Sequence, residues 1–159
     1  MIIPSNFRQI VDRYTQQIPV NLGGLAAELG LEVFQSTLEP KISGMIEPSP
    51  TAPSGYRIKL NRHDPINRQR FTLAHEIAHF LLHRFDIGRG VVDDTLYRSN
   101  LSDRKEVEAN KLGAQLIMPS AKVREEAAPL IGMPSDQIID MLAKKFRVSQ
   151  EAMRIKLGY

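Results

Sequence analysis

The strongest structural signal in this sequence is a helical pattern in the segment from Asp64 to Phe85. Apolar residues recur there every three or four positions, as they do on the buried face of an amphipathic helix. The positions that share this face are Phe71, Ala74, Ala78, Leu81, Leu82 and Phe85. Asp64 and Pro65 suit the N-cap and the first turn of such a helix. The pattern therefore predicts a central helix with one apolar side.

Two shorter helices are predicted before the central one. Ser5 can cap a first helix whose apolar residues continue to Tyr14. Asn21 can cap a second helix that runs to Leu29, and Gly30 is in position to terminate it. The chain is therefore expected to open with helices.

Between Leu31 and Leu60 the pattern changes to short β-like runs that Pro and Gly clusters separate. The runs are LEVFQ, KISGMI and GYRIKL, and they predict a small, largely antiparallel sheet. The segment from Asp86 to Asp103 shows little periodicity, and a connection of that length is usually functional or mobile, so it is a candidate lid. A further helix is predicted from about Arg104 to Met118, with two or three shorter helices after it.

The central helix carries the sequence H-E-I-A-H from His75 to His79. The two His residues are four positions apart, so they project from the same face and can reach one metal ion. Glu76 lies close enough to that face to contact a water molecule on the ion, as in the H-E-x-x-H zinc hydrolases. Zinc lowers the pKa of such a water to about 7, and a neighbouring carboxylate can take its proton. The sequence therefore predicts a zinc centre with Glu76 as general base.

Two imidazoles leave a catalytic zinc ion one protein ligand short, and the chain has no cysteine to supply a thiolate. The helix predicted after the candidate lid begins R-K-E-V-E, so Glu106 and Glu108 are both available. Residue spacing alone does not decide between them. His83 lies about 12 Å along the helix axis from His75, too far for the same ion, and His63 precedes the helix. Neither His83 nor His63 is predicted to be a ligand.

Peptide hydrolysis also needs a substrate-binding edge and a donor for the oxyanion. An extended peptide can add to the edge of the predicted sheet through main-chain hydrogen bonds. The side chains in nearby segments that can donate to an oxyanion are Tyr56, His63, Tyr97 and Arg98. The sequence does not rank these four, so none is predicted to be catalytic.

Length and charge limit the function further. A chain of 159 residues has the length of one ordinary domain. No apolar run approaches the roughly 18 to 20 residues of a membrane span, and the N-terminus turns polar too early for a secretory signal, so we expect a cytoplasmic protein. The formal charge of +3 comes from scattered Lys and Arg residues, so we do not expect direct binding to nucleic acid.

Two longer motifs resemble those of a known family. The sequence R-Q-R-F-T-L-A-H-E-I-A-H-F-L-L-H at 68–83 and the sequence E-V-E-A-N-K-L-G-A-Q-L-I-M-P at 106–119 are similar to motifs of the ImmA/IrrE metallopeptidases. That family also tends to begin with a helix ending in a stretch like Leu25 to Gly30, followed by a small sheet. The resemblance implies one zincin-like α+β metallopeptidase domain over residues 1–159, with a small, mostly antiparallel sheet packed on the active-site helix and further helices around it.

The resemblance also implies particular residues and a substrate class. In that family the E-x-x-A-N segment supplies the third zinc ligand, which falls on Glu106 and not on Glu108. Asn110 then matches a position whose side chain can orient a ligating histidine. The implied activity is that of a Zn2+ endopeptidase that cleaves a protein, typically a helix-turn-helix transcriptional repressor encoded nearby. The metal ligands are then His75, His79 and Glu106, and the catalytic residue is Glu76.

Three other functions share some of these features. Two His residues and one carboxylate also bind the iron of non-haem oxygenases, but an acid such as Glu76 beside the open position favours hydrolysis. A catalytically silent module that holds a metal and only binds a protein partner would keep the same ligands. A DNA-binding regulator is the third alternative, because the C-terminal sequence has the periodicity of a helix-turn-helix. The sequence does not indicate the oligomeric state.

Overall fold

The chain folds into the predicted α+β architecture, which a computed structural model describes for residues 3–159. Within these residues the helices are α1 (Ser5–Tyr14), α2 (Leu22–Glu28), α3 (Ile66–His83), α4 (Asp103–Ile117), α5 (Ser120–Ala127), α6 (Ser135–Phe146) and α7 (Gln150–Leu157). The strands are β1 (Glu32–Ser36), β2 (Ile42–Pro48), β3 (Tyr56–Asn61) and β4 (Val91–Asp94). Short 3₁₀ turns follow α3 and α5.

The four strands form one mixed sheet in the order β1-β3-β2-β4. β2 runs antiparallel to both β3 and β4, whereas β1 and β3 are parallel. Ile46 pairs with Ile58 on one side and Val91 on the other, and all three side chains are fully buried. The prediction of a small, mostly antiparallel sheet is confirmed. β4 was not predicted, and it is an edge strand of this sheet.

The ends of the helices test the capping assignments. Asn21 caps α2 as predicted, because its Oδ1 accepts a hydrogen bond of 3.0 Å from the backbone N–H of Gly24. Ser5 is instead the first helical residue of α1, and Pro4 occupies the N-cap position. α3 ends at His83, so Phe85 lies outside the helix and is 86% exposed. The apolar pattern therefore places Phe85 on the buried face wrongly.

Helix α3 is held closely on two sides, and glycine permits both contacts. A Cβ atom at Gly44 in β2 would lie 2.5 Å from Cγ2 of Thr72 and 3.0 Å from the carbonyl oxygen of Lys59. A Cβ atom at Gly113 in α4 would lie 3.1 Å from both the Cα and the backbone nitrogen of His75. The sheet therefore packs on one side of α3 and α4 packs on another, each at a distance that a larger residue would not allow.

The hydrophobic core extends from the sheet through α3 and α4 to the C-terminal helices. α6 and α7 contribute Phe146 and Met153, both fully buried. Arg70 on α3 donates to the carbonyl oxygen of Arg147, which ties the turn between α6 and α7 to the central helix. The other largest fully buried side chains are Leu22, Leu25, Ile46, Ile58, Ile77, Leu81, Leu116, Ile117, Met118 and Leu142. In residues 3–159, no helix combines the length and apolar character that crossing a membrane requires.

We expect Gly113→Ala to destabilise the protein by about 1–3 kcal/mol, because the added methyl group pushes α4 away from the backbone of α3. The free energy of unfolding, measured by urea denaturation, checks this. Gly23→Ala is the matched control: its added methyl group would meet only Oδ1 of Asn21, at 3.9 Å, so it should be neutral or slightly stabilising. Equal destabilisation by both changes would contradict the close contact at Gly113.

Candidate metal centre

The two His residues and the Glu of the H-E-I-A-H sequence are fully buried on α3. The four-residue spacing brings the imidazole rings of His75 and His79 side by side, with centroids 4.5 Å apart and planes nearly perpendicular at 87°. Glu76 is also 0% exposed. A helix face with exposed polar residues is thereby excluded, because ionisable groups are seldom fully buried unless they are paired or hold a metal.

Glu106, in the first turn of α4, meets both imidazoles. Its Oε1 lies 3.3 Å from Nε2 of His75 and 3.3 Å from Nε2 of His79. Ligands of a tetrahedral zinc site, each about 2.0–2.1 Å from the ion, are separated by about 3.3 Å. Oε2 of Glu106 accepts a hydrogen bond of 2.5 Å from Ser99, which fixes the orientation of the carboxylate. The three residues therefore have the mutual spacing of metal ligands.

Glu108 contacts a different histidine. Its Oε1 lies 3.1 Å from Nε2 of His83, and Nδ1 of His83 lies 3.1 Å from Nδ1 of His79. The carboxylate of Glu108, the imidazole of His83 and the imidazole of His79 thus form a row. Nε2 of His79, at the end of this row, remains directed toward Glu106. Such outer partners fix the tautomer and the orientation of a ligating His. The structure therefore distinguishes the two acids: Glu106 contacts both His75 and His79, whereas Glu108 contacts His83.

Asp93 on β4 also reaches the His pair, and sequence reasoning did not find it. Its side chain is 0% exposed, and its Oδ1 lies 3.2 Å from Nε2 of His75 and 3.6 Å from Nε2 of His79. The signal available was an acid at an inward position of a short strand, after buried Val91 and exposed Val92. Four residues in a segment of little periodicity were too few to reveal that alternation.

The connection after β4 covers another side of the centre. Tyr97 has a backbone φ of 56°, a conformation that is costly for a bulky residue and is often found at functional sites. Its ring centroid lies 5.0 Å from that of His75, and its hydroxyl oxygen lies 3.1 Å from Oγ1 of Thr72. The segment predicted as a candidate lid therefore contacts the centre through Asp93, Tyr97 and Ser99.

The other candidate oxyanion donors lie elsewhere. The hydroxyl of Tyr56 donates a hydrogen bond of 3.0 Å to the carbonyl oxygen of Arg84. The Arg98 side chain is 70% exposed and pairs with Asp94, and His63 is exposed. Of the four candidates, only Tyr97 is in contact with the His pair.

The atoms that face the centre lack hydrogen-bond partners in residues 3–159. They are Nε2 of His75 and His79, Oε1 of Glu106, and both carboxylate oxygens of Glu76 and Asp93. Several of them approach one another within 3.2–3.6 Å, but not at hydrogen-bonding angles. Each unpaired buried polar group costs about 1–3 kcal/mol, a cost that a central cation would offset. Imidazole nitrogen with carboxylate oxygen is a donor set that suits zinc and related divalent ions.

Burial and neighbouring charges set the protonation of the metal-free centre. Burial raises the pKa of Glu76 well above its usual value, and the charges of Asp93 and Glu106 raise it further. Burial lowers the pKa of His79, but the same two carboxylates outweigh it and raise the pKa to about 9. Protons therefore stay on the cluster where a divalent cation would otherwise supply the positive charge.

Asn110 does not make the hydrogen bond that the family resemblance implies. Its Oδ1 is buried without a partner in residues 3–159, and Nδ1 of His75 likewise has none. His79 is oriented instead through His83. The resemblance implies that Asn110 orients a candidate ligand histidine, but for His79 the contact is made by His83 of the same helix.

Comparison with known proteins places the chain in a recognised group. The model of the IrrE N-terminal-like domain, a peptidase family, matches residues 26–158. Among solved structures, a Mycobacterium tuberculosis transcriptional regulator is similar to 98% of this chain at a TM-score of 0.57 and 15% sequence identity. The match covers 48% of that regulator, so the chain spans about half its length, and the likeness shows a shared fold. No curated protein sequence matches the chain.

The two acids of α4 should differ in their effect on metal binding. Glu106→Gln replaces a carboxylate that faces both imidazoles, and we expect it to weaken metal affinity by more than about 100-fold. Glu108→Gln removes only the charge behind His83, and we expect a loss of about 10-fold with the stoichiometry kept. Elemental mass spectrometry and chelator competition measure both. Equal losses in the two variants would contradict these assignments.

Proposed function

This chain belongs to the peptidase family of the IrrE N-terminal-like domain, and from that premise we propose that residues 1–159 form one zinc-dependent endopeptidase domain. The observation that supports the proposal most directly is geometric. Oε1 of Glu106 lies 3.3 Å from the Nε2 atoms of His75 and His79, and the carboxylate of Glu76 is buried beside them. These are the parts that hydrolysis at a metal requires: three ligands and an adjacent base.

The ligands come from two helices that pack tightly. His75 and His79 project from one face of α3, and Glu106 comes from the first turn of α4. When bound, the ion lowers the pKa of a water molecule and polarises the carbonyl group of the scissile peptide. The row from His79 through His83 to Glu108 keeps the second imidazole in one tautomer.

Glu76 moves the proton in both halves of the reaction. It accepts a proton from the attacking water molecule as the new carbon–oxygen bond forms. It then donates that proton to the amine nitrogen as the carbon–nitrogen bond breaks. Burial favours the protonated form of Glu76, which assists the second transfer, and a bound cation would lower the pKa of Glu76 and so favour the first. No covalent intermediate with the protein is needed.

Tyr97 is the residue that we propose as the oxyanion donor. It is the candidate whose ring contacts His75, and its hydroxyl is held near Thr72. Burial raises the pKa of the Tyr97 hydroxyl, so it stays protonated and able to donate near neutral pH. The positive φ of Tyr97 is consistent with a residue held in place for function.

The substrate that we propose is a helix-turn-helix transcriptional repressor encoded near the gene, cleaved in the cytoplasm. The family resemblance supports this class of substrate. An extended segment of such a protein can add to the free edge of β4, where Val92 is 40% exposed. A cavity of about 890 Å³ lies between α3, α4 and α7 and is lined by Phe71, Tyr97, Asn110 and Met118, among others, so it can accept a substrate side chain.

One observation favours a second function, that of a catalytically silent metal-binding module that holds its protein partner without cutting it. Oδ1 of Asp93 lies 3.2 Å from Nε2 of His75, and a carboxylate oxygen of Asp93 lies within 4.8 Å of one of Glu76, beside which a reactive water molecule would have to bind. A centre closed by four protein ligands is typical of structural metal sites. The two functions differ in whether Glu76 is needed for the biological effect.

Glu76→Gln should reduce peptide cleavage by about 10²- to 10⁴-fold while the metal content stays the same, because it removes the base and not a ligand. The metal-loaded protein is incubated with the helix-turn-helix protein encoded beside its gene, and with a proteome-derived peptide library. Mass spectrometry then counts new termini. Glu125→Gln, a change of a mostly exposed acid on α5, serves as the control and should cleave normally. Cleavage that survives Glu76→Gln would overturn the mechanism.

A further inference from the structure

Asp93 lies where a fourth ligand would lie. Its Oδ1 is 3.2 Å from Nε2 of His75 and 3.6 Å from Nε2 of His79, which brackets the separation of about 3.3 Å expected between tetrahedral zinc ligands. Ligand atoms of Asp93, His75, His79 and Glu76 all lie within 4.8 Å of one another. Both oxygens of Asp93 are buried and have no hydrogen-bond partner in residues 3–159.

The position of the Asp93 carboxylate is also the position that a reactive water molecule would need. That water must lie beside the base, and a carboxylate oxygen of Glu76 lies within 4.8 Å of one of Asp93. A catalytic zinc site keeps one position open, whereas a site with four protein ligands is closed. Two acids with different tasks cannot both face the open position, so Asp93 has to leave before Glu76 can act.

Asp93 reaches the centre because of the residue opposite it in the sheet. Its partner across the strand pair is Gly44, whose missing side chain leaves room for α3 to approach β2. The pairing shifts register between Ile42 and Gly44, so β2 is irregular at this point. The sheet therefore brings the Asp93 carboxylate to the His pair from β4, whereas the Glu106 carboxylate comes from α4.

The element that carries Asp93 is suited to movement. β4 has four residues, lies at the edge of the sheet and pairs only with β2. Gly88 and Gly90 precede it with φ values of 56° and 148°, and Tyr97 follows it with φ of 56°. Short edge strands beside irregular backbone are the parts of a fold that open most easily. The apolar side chain of Val91, which is fully buried, holds the strand to the core.

We propose that Asp93 is a fourth protein ligand that closes the metal centre in the resting protein, and that its reversible withdrawal with β4 opens the centre for catalysis. This inference rests on the proposed function. It makes the chain a latent peptidase and not a permanently silent module. An extended substrate segment that pairs with the edge of β4 is the natural cause of the withdrawal, because it engages the strand that carries the ligand.

The test uses the full chain loaded with Co2+, whose visible absorption reports the coordination of the ion, and acetohydroxamate as the exogenous ligand. We expect the spectrum of the parent protein to resist acetohydroxamate. Asp93→Ala and Asp93→Asn should bind it at least about 10-fold more tightly and should cleave peptides faster. Their Co2+ affinity, measured by chelator competition, should fall by at least about 10-fold but not vanish. Asp93→Asn keeps the side-chain volume should Asp93→Ala fail to fold.

Asp94→Asn is the matched control, because it changes the next acid of β4 while keeping an oxygen that can accept from the backbone N–H groups of Leu96 and Arg98. It should behave as the parent. If the parent binds acetohydroxamate as tightly as the Asp93 variants, the closed centre is wrong although the metal site and the peptidase proposal stand. If both Asp93 variants lose the metal entirely, the closure is not reversible. A parent that binds no Co2+ would instead overturn the proposed function itself.

Discussion

Five ionisable side chains share one buried centre in this protein, and the electrostatics of that centre constrain everything around it. His75, Glu76, His79, Asp93 and Glu106 are almost completely removed from water. Three carboxylates without a cation would repel one another, and the shifted pKa values of Glu76 and His79 show protons retained to relieve that repulsion. Such a cluster persists only because the surrounding core excludes water and holds each group in place.

The fold provides that enclosure from three directions. α3 contributes the His pair and the base, α4 contributes Glu106, and the sheet closes the remaining side through β4. Ser99, from the connection between β4 and α4, orients the Glu106 carboxylate, and His83 orients His79. The contacts that orient the candidate ligands therefore come from the same part of the fold as the ligands themselves. We expect metal binding and folding to depend on each other for this reason.

The parts that local sequence determines were predictable, and the parts that depend on long-range pairing were not. The four-residue spacing of His75 and His79 on a helix follows from helical geometry alone. The choice of Glu106 over Glu108 as the candidate ligand needed the family resemblance, because two acids two positions apart in the chain cannot be ranked until the neighbouring helix is placed beside them. Asp93 was missed because β4 exists only through its pairing with β2, about 45 residues earlier in the chain, and four residues carry too little pattern to reveal it.

The glycine contact between α3 and α4 has a consequence for the alignment of the two helices. A shift of α4 by one residue, a rise of about 1.5 Å with a rotation of about 100°, would bring Leu112 or Ala114 to the backbone of His75, where Gly113 now leaves 3.1 Å for a Cβ atom. Neither side chain fits in that space. A shift of α4 into a neighbouring register is therefore blocked in both directions, so this backbone contact at His75 helps to fix the distance between the candidate ligands of α3 and α4.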